Sequence, residues 1–249
     1  MNSFEFKHPR IWDNKETEKF KMWLEKEIAS GSDKWSQEFE EYIKIKWDSS
    51  KIHHEETSAE KQEENTFNRY IISLDIPRQS LQDKRIMDLG CDEGEFVTSC
   101  INKNITQEAY GLDTDLDMDS LENQHKNNFF IGDFTKDLPV KNLDYIISVG
   151  AISLFFDKEY GSKAENAIKK SIEAIKDSGE IRIWPIKKAL RGDELQGIEE
   201  EEMVVNDIIN HLEKEFDVVC ELKTTDIGVS GKDKDIWAEQ VLIIKRKNL

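Results

Sequence analysis

The feature that most constrains the fold is a glycine-containing turn at residues 90–94, set between an apolar run and a helical stretch. The preceding residues, 84–89, include three large apolar side chains and predict a buried parallel strand. Gly90 and Gly94 predict a tight turn that a ligand can approach closely, because glycine has no side chain in the way. The helix predicted near residues 94–104 points its N-terminal amides at the same place. This order of elements predicts a nucleotide-like ligand at the carboxyl end of the strand.

Two further predicted strands are followed by carboxylates. The strand at 109–113 ends in Asp113, about 23 residues after the turn, and an acidic side chain there can accept hydrogen bonds from two ribose hydroxyls. The short strand at 128–131 is followed by Asp133, and the apolar strand at 143–149 ends in small residues. Four strand ends in this order predict one ligand site along a single edge of a sheet.

Together, these motifs resemble those of class I S-adenosylmethionine-dependent methyltransferases. The resemblance rests on residues 88–94, on Asp113 and on the pair Gly132-Asp133. It implies that the glycine loop lies under the methionine part of the cofactor, that Asp113 holds the ribose and that Asp133 contacts the adenine amine. The cofactor-binding residues that the resemblance implies are Asp88, Gly90, Cys91, Asp92, Gly94, Asp113, Thr114, Asp133, Phe134 and Val149.

A dinucleotide-binding dehydrogenase is the alternative interpretation of the same loop. The G-x-G-x-x-G spacing is absent, because Gly90 and Gly94 enclose Asp92 and Glu93. Asp92 also stands where the methyltransferase pattern has its middle glycine. Two carboxylates so near a pyrophosphate would repel it, whereas S-adenosyl-L-methionine carries a sulfonium and an ammonium and no phosphate. The charge of the loop therefore favours S-adenosyl-L-methionine as the cofactor.

Strands and helices alternate from residue 82 onward, which predicts an α/β fold. The predicted helices lie near 94–104, 116–126, 161–177 and 198–215, and the predicted strands near 84–89, 109–113, 128–131, 143–149, 180–185, 216–224 and 236–246. The last two strands have no helix between them and predict an antiparallel hairpin. The resemblance, which covers roughly residues 82–249, implies a doubly wound, mostly parallel seven-stranded sheet in the order 3-2-1-4-5-7-6.

The first 80 residues have a different pattern and predict an N-terminal helical extension, residues 1–80, before a Rossmann-like methyltransferase domain, residues 81–249. Apolar residues fall at helical spacing near 16–28 and 33–47. Four of the six tryptophans lie here: Trp12, Trp23, Trp35 and Trp47. They either pack the helices onto the sheet domain or line a substrate pocket.

No metal site is predicted. His53 and His54 point about 100° apart on a helix, and no third ligand has a fitting spacing, although either histidine can serve as a general base. The three cysteines, Cys91, Cys100 and Cys220, form no C-x-x-C pair and are interpreted as reduced thiols.

The net charge of −17 argues against nucleic acid as a partner, since proteins that grip phosphate backbones present a basic face. Four lysines alternate with glutamates at helical spacing and predict a solvated helix face: Lys163, Lys169, Lys170 and Lys176. No apolar run approaches the roughly 20 residues that span a bilayer. The N-terminus has no apolar stretch of signal-peptide length, so no membrane contact and a cytoplasmic location are expected. The oligomeric state is left open.

The methyl acceptor is expected outside the carboxyl ends of the first, fourth and fifth strands. Ser153, Tyr160 and Trp184 are the substrate-binding candidates there, and the sequence identifies no catalytic residue. A small-molecule acceptor is the leading hypothesis, because the chain is acidic. Methylation of a protein is an alternative, since an acidic enzyme suits a basic partner. A cofactor-binding module without turnover is the third hypothesis.

Overall fold

The computed structural model describes residues 59–191, except 120 and 122, together with residues 195–229 and 236–247 and the single positions 22, 26 and 36. Apart from these single positions, the predicted N-terminal helices lie outside the described residues, as do the four tryptophans before residue 48 and both adjacent histidines. The chain divides into two compact units, Met1–Asn65 and Thr66–Leu249. The domain boundary at residue 80 stays a prediction. In the described part, no helix is long and apolar enough to cross a membrane.

Seven strands form one sheet in the order β3-β2-β1-β4-β5-β7-β6. The strands are β1 (Ile86–Leu89), β2 (Ala109–Asp113), β3 (Phe129–Ile131), β4 (Leu143–Val149), β5 (Ile175–Arg191), β6 (Val218–Val229) and β7 (Ile236–Arg246). The first five pair in parallel, and β7 pairs antiparallel with both β5 and β6. The predicted fold class, strand order and C-terminal hairpin are confirmed.

Helices cover both faces of the sheet, as a doubly wound fold requires. They are α1 (Ala59–Ser73), α2 (Glu95–Asn102), α3 (Gly161–Ala174) and α4 (Gln196–Glu215). Met87 and Leu89 of β1 belong to the apolar core that includes α3 and α4. Ile86 belongs to the core on the other face, which includes α1 and α2. Because side chains alternate along a strand, Asp88 points to the same face as Ile86, beneath α1 and α2.

The second half of α1 is packed into this core. Tyr70 stacks on Phe96 of α2 with ring centroids 4.6 Å apart, and Phe67 stacks on the same ring at 5.6 Å. The buried Arg182 of β5 donates a hydrogen bond of 2.8 Å to the Leu74 carbonyl oxygen at the end of α1. These contacts hold Tyr70 beside the first strand.

The predicted helix at 116–126 is wrong. The described residues there form turns that lead into a short 3₁₀ helix, Lys126–Asn128. The Asp119 N–H donates to Asp117 Oδ1 at 2.9 Å, and the Asp115 N–H donates to Asp113 Oδ1 at 3.0 Å. Aspartate side chains that bind the backbone two residues onward compete with helix formation, so this Asp-rich segment forms turns instead.

Candidate cofactor site

The loop between β1 and α2 contains three residues with positive φ angles: Gly90 at 74°, Asp92 at 50° and Gly94 at 73°. Aspartate and asparagine are the residues that tolerate this region best after glycine. Asp92 therefore keeps the loop conformation although it replaces the middle glycine. Its backbone N–H also donates to Asp113 Oδ2 at 3.0 Å, which ties the loop to the end of β2.

The glycine positions allow the loop to pack closely against its neighbours. A Cβ atom at Gly90 would stand 2.1 Å from the Ala151 Cβ, and one at Gly94 would stand 2.3 Å from the Phe129 ring. A Cβ at Gly111 of β2 would lie 2.7 Å from the sulfur of the loop cysteine. These distances are far below van der Waals contact, so the loop can lie this close to the sheet only with glycine at these positions.

Asp113 lies at the end of β2, half-buried, and its carboxylate already accepts two backbone hydrogen bonds. One oxygen receives the Asp92 N–H and the other receives the Asp115 N–H, both at 3.0 Å. An ionised carboxylate has about four acceptor positions. Each oxygen therefore keeps an acceptor position, and the pair matches the two adjacent hydroxyls of a ribose.

Asp133 and Phe134 follow β3. Asp133 Oδ1 accepts hydrogen bonds from the Thr135 hydroxyl at 2.7 Å and the Thr135 N–H at 2.8 Å, and these bonds hold the pKa of Asp133 below its usual range. A ring carbon of Phe134 lies 3.9 Å from the point where a Gly90 Cβ would stand. The Phe134 ring also meets Phe155 edge-on, with ring centroids 6.1 Å apart. The ring thus forms an apolar wall beside the loop, and Thr114 is exposed near the end of β2.

Asp88 is the most unusual group of the site. Its side chain is fully buried, and neither carboxyl oxygen has a hydrogen-bond partner of good geometry among the described residues. Burial raises the pKa of Asp88 to about 7, the adjacent Tyr70 hydroxyl opposes that rise, and the Asp113 charge adds to it. A buried carboxylate without a cationic partner is costly, so this group either holds a proton or binds a cationic ligand.

The loop cysteine is not poised for nucleophilic chemistry. Burial is the main cause that raises the pKa of the Cys91 thiol far above its usual range, and the charge of Asp88 adds to it. Cys100 of α2 is also buried, and burial raises the pKa of its thiol in the same way. Reactive thiols have a depressed pKa, so both cysteines act as packing groups here. Among the described residues, no three His, Cys, Asp or Glu side chains are grouped to hold a metal ion.

The residues predicted to bind the acceptor fall in two places. Trp184 is buried at the carboxyl end of the parallel part of β5, where it pairs in register with Val149 of β4, and the Gly150 N–H donates to its carbonyl oxygen at 2.8 Å. Tyr160 is exposed and meets Phe155 edge-on at 6.3 Å. Ser153 lies in the short 3₁₀ helix Ile152–Phe155, half-buried.

Sequence reasoning missed three residues beside the site. The sequence analysis singles out neither Tyr70 nor Phe155. Periodicity does place Tyr70 on the buried face of its helix, but it does not show that this face meets Asp88 of β1. Ser148 is a third case: its buried hydroxyl donates to the Leu89 carbonyl oxygen at 2.9 Å and accepts the Ile152 N–H at 3.1 Å. It fixes β4 to β1 beside the loop.

Several solved methyltransferases resemble this chain at low identity. No protein-family model and no curated protein matches the sequence. The CcbJ methyltransferase from Streptomyces caelestis is 9% identical, with a TM-score of 0.43 over 69% of this chain and 89% of that one. A TehB-like SAM-dependent methyltransferase from Corynebacterium glutamicum is 17% identical, with a TM-score of 0.39 over 75% of this chain and 99% of that one. The small RNA methyltransferase HEN1 is 14% identical, with a TM-score of 0.45 over 79% of this chain and 27% of that one.

The strand order decides the fold, since these identities and scores are too low to do so. The chain has the class I methyltransferase fold. Its parallel strands end at the glycine loop, at Asp113 and beside Asp133, which are the positions that the resemblance implies for the cofactor. The substrates of the compared proteins do not carry over to this chain at such low similarity.

Proposed function

We propose that this protein is an S-adenosylmethionine-dependent methyltransferase that acts on a small molecule. The observation that carries this proposal is the loop of three positive φ angles at residues 90–94, tied by the Asp92 N–H to Asp113. The Asp113 carboxylate keeps one acceptor position on each oxygen, which suits a ribose diol. We assign Asp133, Phe134 and Thr114 to the adenine end of the cofactor, because they closely follow β2 and β3.

The charge of the site supports a cationic cofactor. Asp92 lies in the loop, Asp88 directly precedes it and Asp113 is hydrogen-bonded to it, while Asp133 follows β3. Carboxylates at these positions would repel a phosphate. The sulfonium and ammonium of S-adenosylmethionine match this charge. The fully buried Asp88 provides an acceptor for the ammonium, because its carboxyl oxygens have no hydrogen-bond partner of good geometry among the described residues.

The bound cofactor supplies an electrophilic methyl group for an in-line displacement. The task of the chain is to orient the acceptor and to exclude water, and positioning of this kind lowers barriers by several kcal/mol. The buried Trp184 and the end of β4 at Val149 form an apolar edge beside the loop that serves both purposes. A small-molecule acceptor is supported by the net charge of −17, which disfavours polyanions.

The test is calorimetry with S-adenosylmethionine, with NAD as the comparator. We expect micromolar binding of S-adenosylmethionine and none of NAD. Asp113→Ala should weaken that binding tenfold or more, because the hydrogen bonds to both hydroxyls are lost. Asp115→Ala is the matched control: its side chain is exposed, and its affinity should stay within about threefold of the wild type. No binding by the folded wild type contradicts the proposal.

Labelled cofactor in cell lysate separates the remaining hypotheses. Label in small molecules supports the proposed acceptor class. Label in protein instead supports the alternative of a basic protein partner, which the acidic charge also suits. If the protein binds S-adenosylmethionine but produces no S-adenosylhomocysteine in any extract, the result supports the third hypothesis, a cofactor-binding module without turnover.

Phe134 provides a further prediction. Phe134→Leu should weaken S-adenosylmethionine binding about fivefold, because leucine keeps the apolar wall beside Gly90 but cannot stack on adenine. Phe130→Leu is the matched control, since that ring contacts Tyr110 of β2 instead. Equal affinities for the two variants in calorimetry would contradict the adenine position.

A further inference from the structure

Tyr70 and Asp88 form a polar pair inside an otherwise apolar layer. The Tyr70 ring is fixed by its stack on Phe96 at 4.6 Å, and the Tyr70 hydroxyl lies beside the Asp88 carboxyl group. Burial, and then the charge of Asp88, raise the pKa of Tyr70 well above its usual value. The hydroxyl therefore keeps its proton and can only donate toward the carboxylate.

The charged groups around Asp88 leave the carboxyl without a cationic partner of its own. From α1, Tyr70 faces it and the exposed Arg69 acts on it from outside, favouring the charged form. From β2, Asp113 disfavours that form. The thiols of Cys91 in the loop and Cys100 in α2 are neutral, and the charge of Asp88 contributes to their raised pKa values. Burial dominates, so the empty site favours the protonated carboxyl below about pH 7.

We propose that Tyr70 is a positioning residue that acts through Asp88, and that the pair exchanges a proton for the cationic amino group of the cofactor. The inference rests on the proposed function. Asp88 lies two residues before Gly90, next to the loop where the methionine part belongs. When the ammonium arrives, the carboxyl group releases its proton to solvent, and Tyr70 donates to the resulting carboxylate and fixes its orientation. No other covalent bond changes.

The proposed exchange predicts how many protons are released on cofactor binding at each pH, and calorimetry measures this number. S-adenosylmethionine is titrated into the full chain between about pH 5.5 and 9, in two buffers that differ in ionisation enthalpy. Since the pKa of Asp88 is about 7, about half a proton should leave at pH 7, nearly one near pH 6 and none near pH 8.5. The ligand's own amino group has a pKa of about 7.7–8.0 and takes up protons on binding at high pH. The proton count measured with Asp88→Asn contains only this contribution and is subtracted from that of the wild type.

Three variants separate positioning from packing. Asp88→Asn should release no proton and bind with an affinity independent of pH below about 7. Tyr70→Phe keeps the stack on Phe96 but loses the donor, so the pKa of Asp88 rises. Affinity falls as the pH decreases below the pKa of Asp88, so the pH at which this fall begins should move up by about one unit. Tyr145→Phe, which removes a half-buried hydroxyl on β4, is the matched control and should leave the profile unchanged.

Each outcome decides the inference. Equal proton release by the wild type and Asp88→Asn at pH 6 overturns the exchange. Identical profiles for the wild type and Tyr70→Phe overturn the role of Tyr70, and they do so even if Asp88→Asn binds too weakly to measure. Absence of binding by the folded wild type at every pH overturns the proposed function itself, so the two failures are distinguishable. Circular dichroism shows whether each variant is folded.

Discussion

Asp88→Asn is expected to stabilise the ligand-free protein by about 4 kcal/mol above pH 7, because the pKa of Asp88 is about 7 when folded and near 3.8 when unfolded. Between those two values the folded state binds the proton more tightly than the unfolded state, so the wild type loses stability as pH rises. Below about pH 3 both states are protonated and the difference disappears. Asparagine has the same shape, carries no charge and avoids this loss.

Urea unfolding of the wild type and the variant from pH 5 to 8 measures this difference. Other carboxyl groups titrate in both proteins and cancel. Asp144→Asn is a control of opposite sign: burial disfavours its charge, but hydrogen bonds from Lys176 and the Arg85 N–H hold its pKa below the usual range. That variant should lose stability at neutral pH. A flat difference for Asp88→Asn would mean that the carboxyl group has a normal pKa.

A buried group that costs the empty protein this much stability argues for a ligand. Proteins keep destabilising polar groups mainly at functional sites, where ligand binding offsets the destabilisation. The position of Asp88 beside the loop agrees with that expectation. Glu239, the other buried acidic side chain among the described residues, lies on β7 instead. Stability at neutral pH should therefore rise on cofactor binding by more than it does at pH 5.

Much of the sheet is predictable from sequence because its strands are short apolar runs with clear ends. The predicted bounds of 109–113 and 143–149 coincide with β2 and β4. β5 is longer than predicted at both ends. It begins at Ile175, inside the helix predicted at 161–177, and it continues past Pro185 and pairs with β7 as far as Arg191. The residues beyond Pro185 include lysines, and only the partner strand shows that they remain extended.

The site is predictable where one local segment determines it and less so where two segments meet. The loop, Asp113 and Asp133 each follow from strand ends and turn residues. The positive φ of Asp92 explains the departure from glycine, but the sequence does not reveal it. The pairing of Tyr70 with Asp88 depends on how α1 packs across β1, which periodicity alone does not specify.

Gly90→Ala should weaken S-adenosylmethionine binding about 100-fold or more, whereas Gly150→Ala should change it by less than about threefold. The two glycines have nearly equal φ angles, 74° and 76°, so alanine costs about 1–2 kcal/mol of backbone strain at either position. The two positions differ in the space available for a side chain. A Cβ at Gly90 would stand 2.1 Å from the Ala151 Cβ, and one at Gly150 would meet nothing within 4 Å.

The comparison separates strain from packing as the reason for glycine in the loop. A pair of carbon atoms normally stays about 3.5 Å apart, so Gly90→Ala must push the loop away from Ala151 by more than about 1 Å. That shift also breaks the alignment of the Asp92 N–H with Asp113 and removes the ribose acceptor from its place. Unfolding free energies should fall for both variants, and calorimetric affinity only for Gly90→Ala. Equal loss of affinity would mean that backbone strain governs the site, and that the close approach to Ala151 has no part in binding.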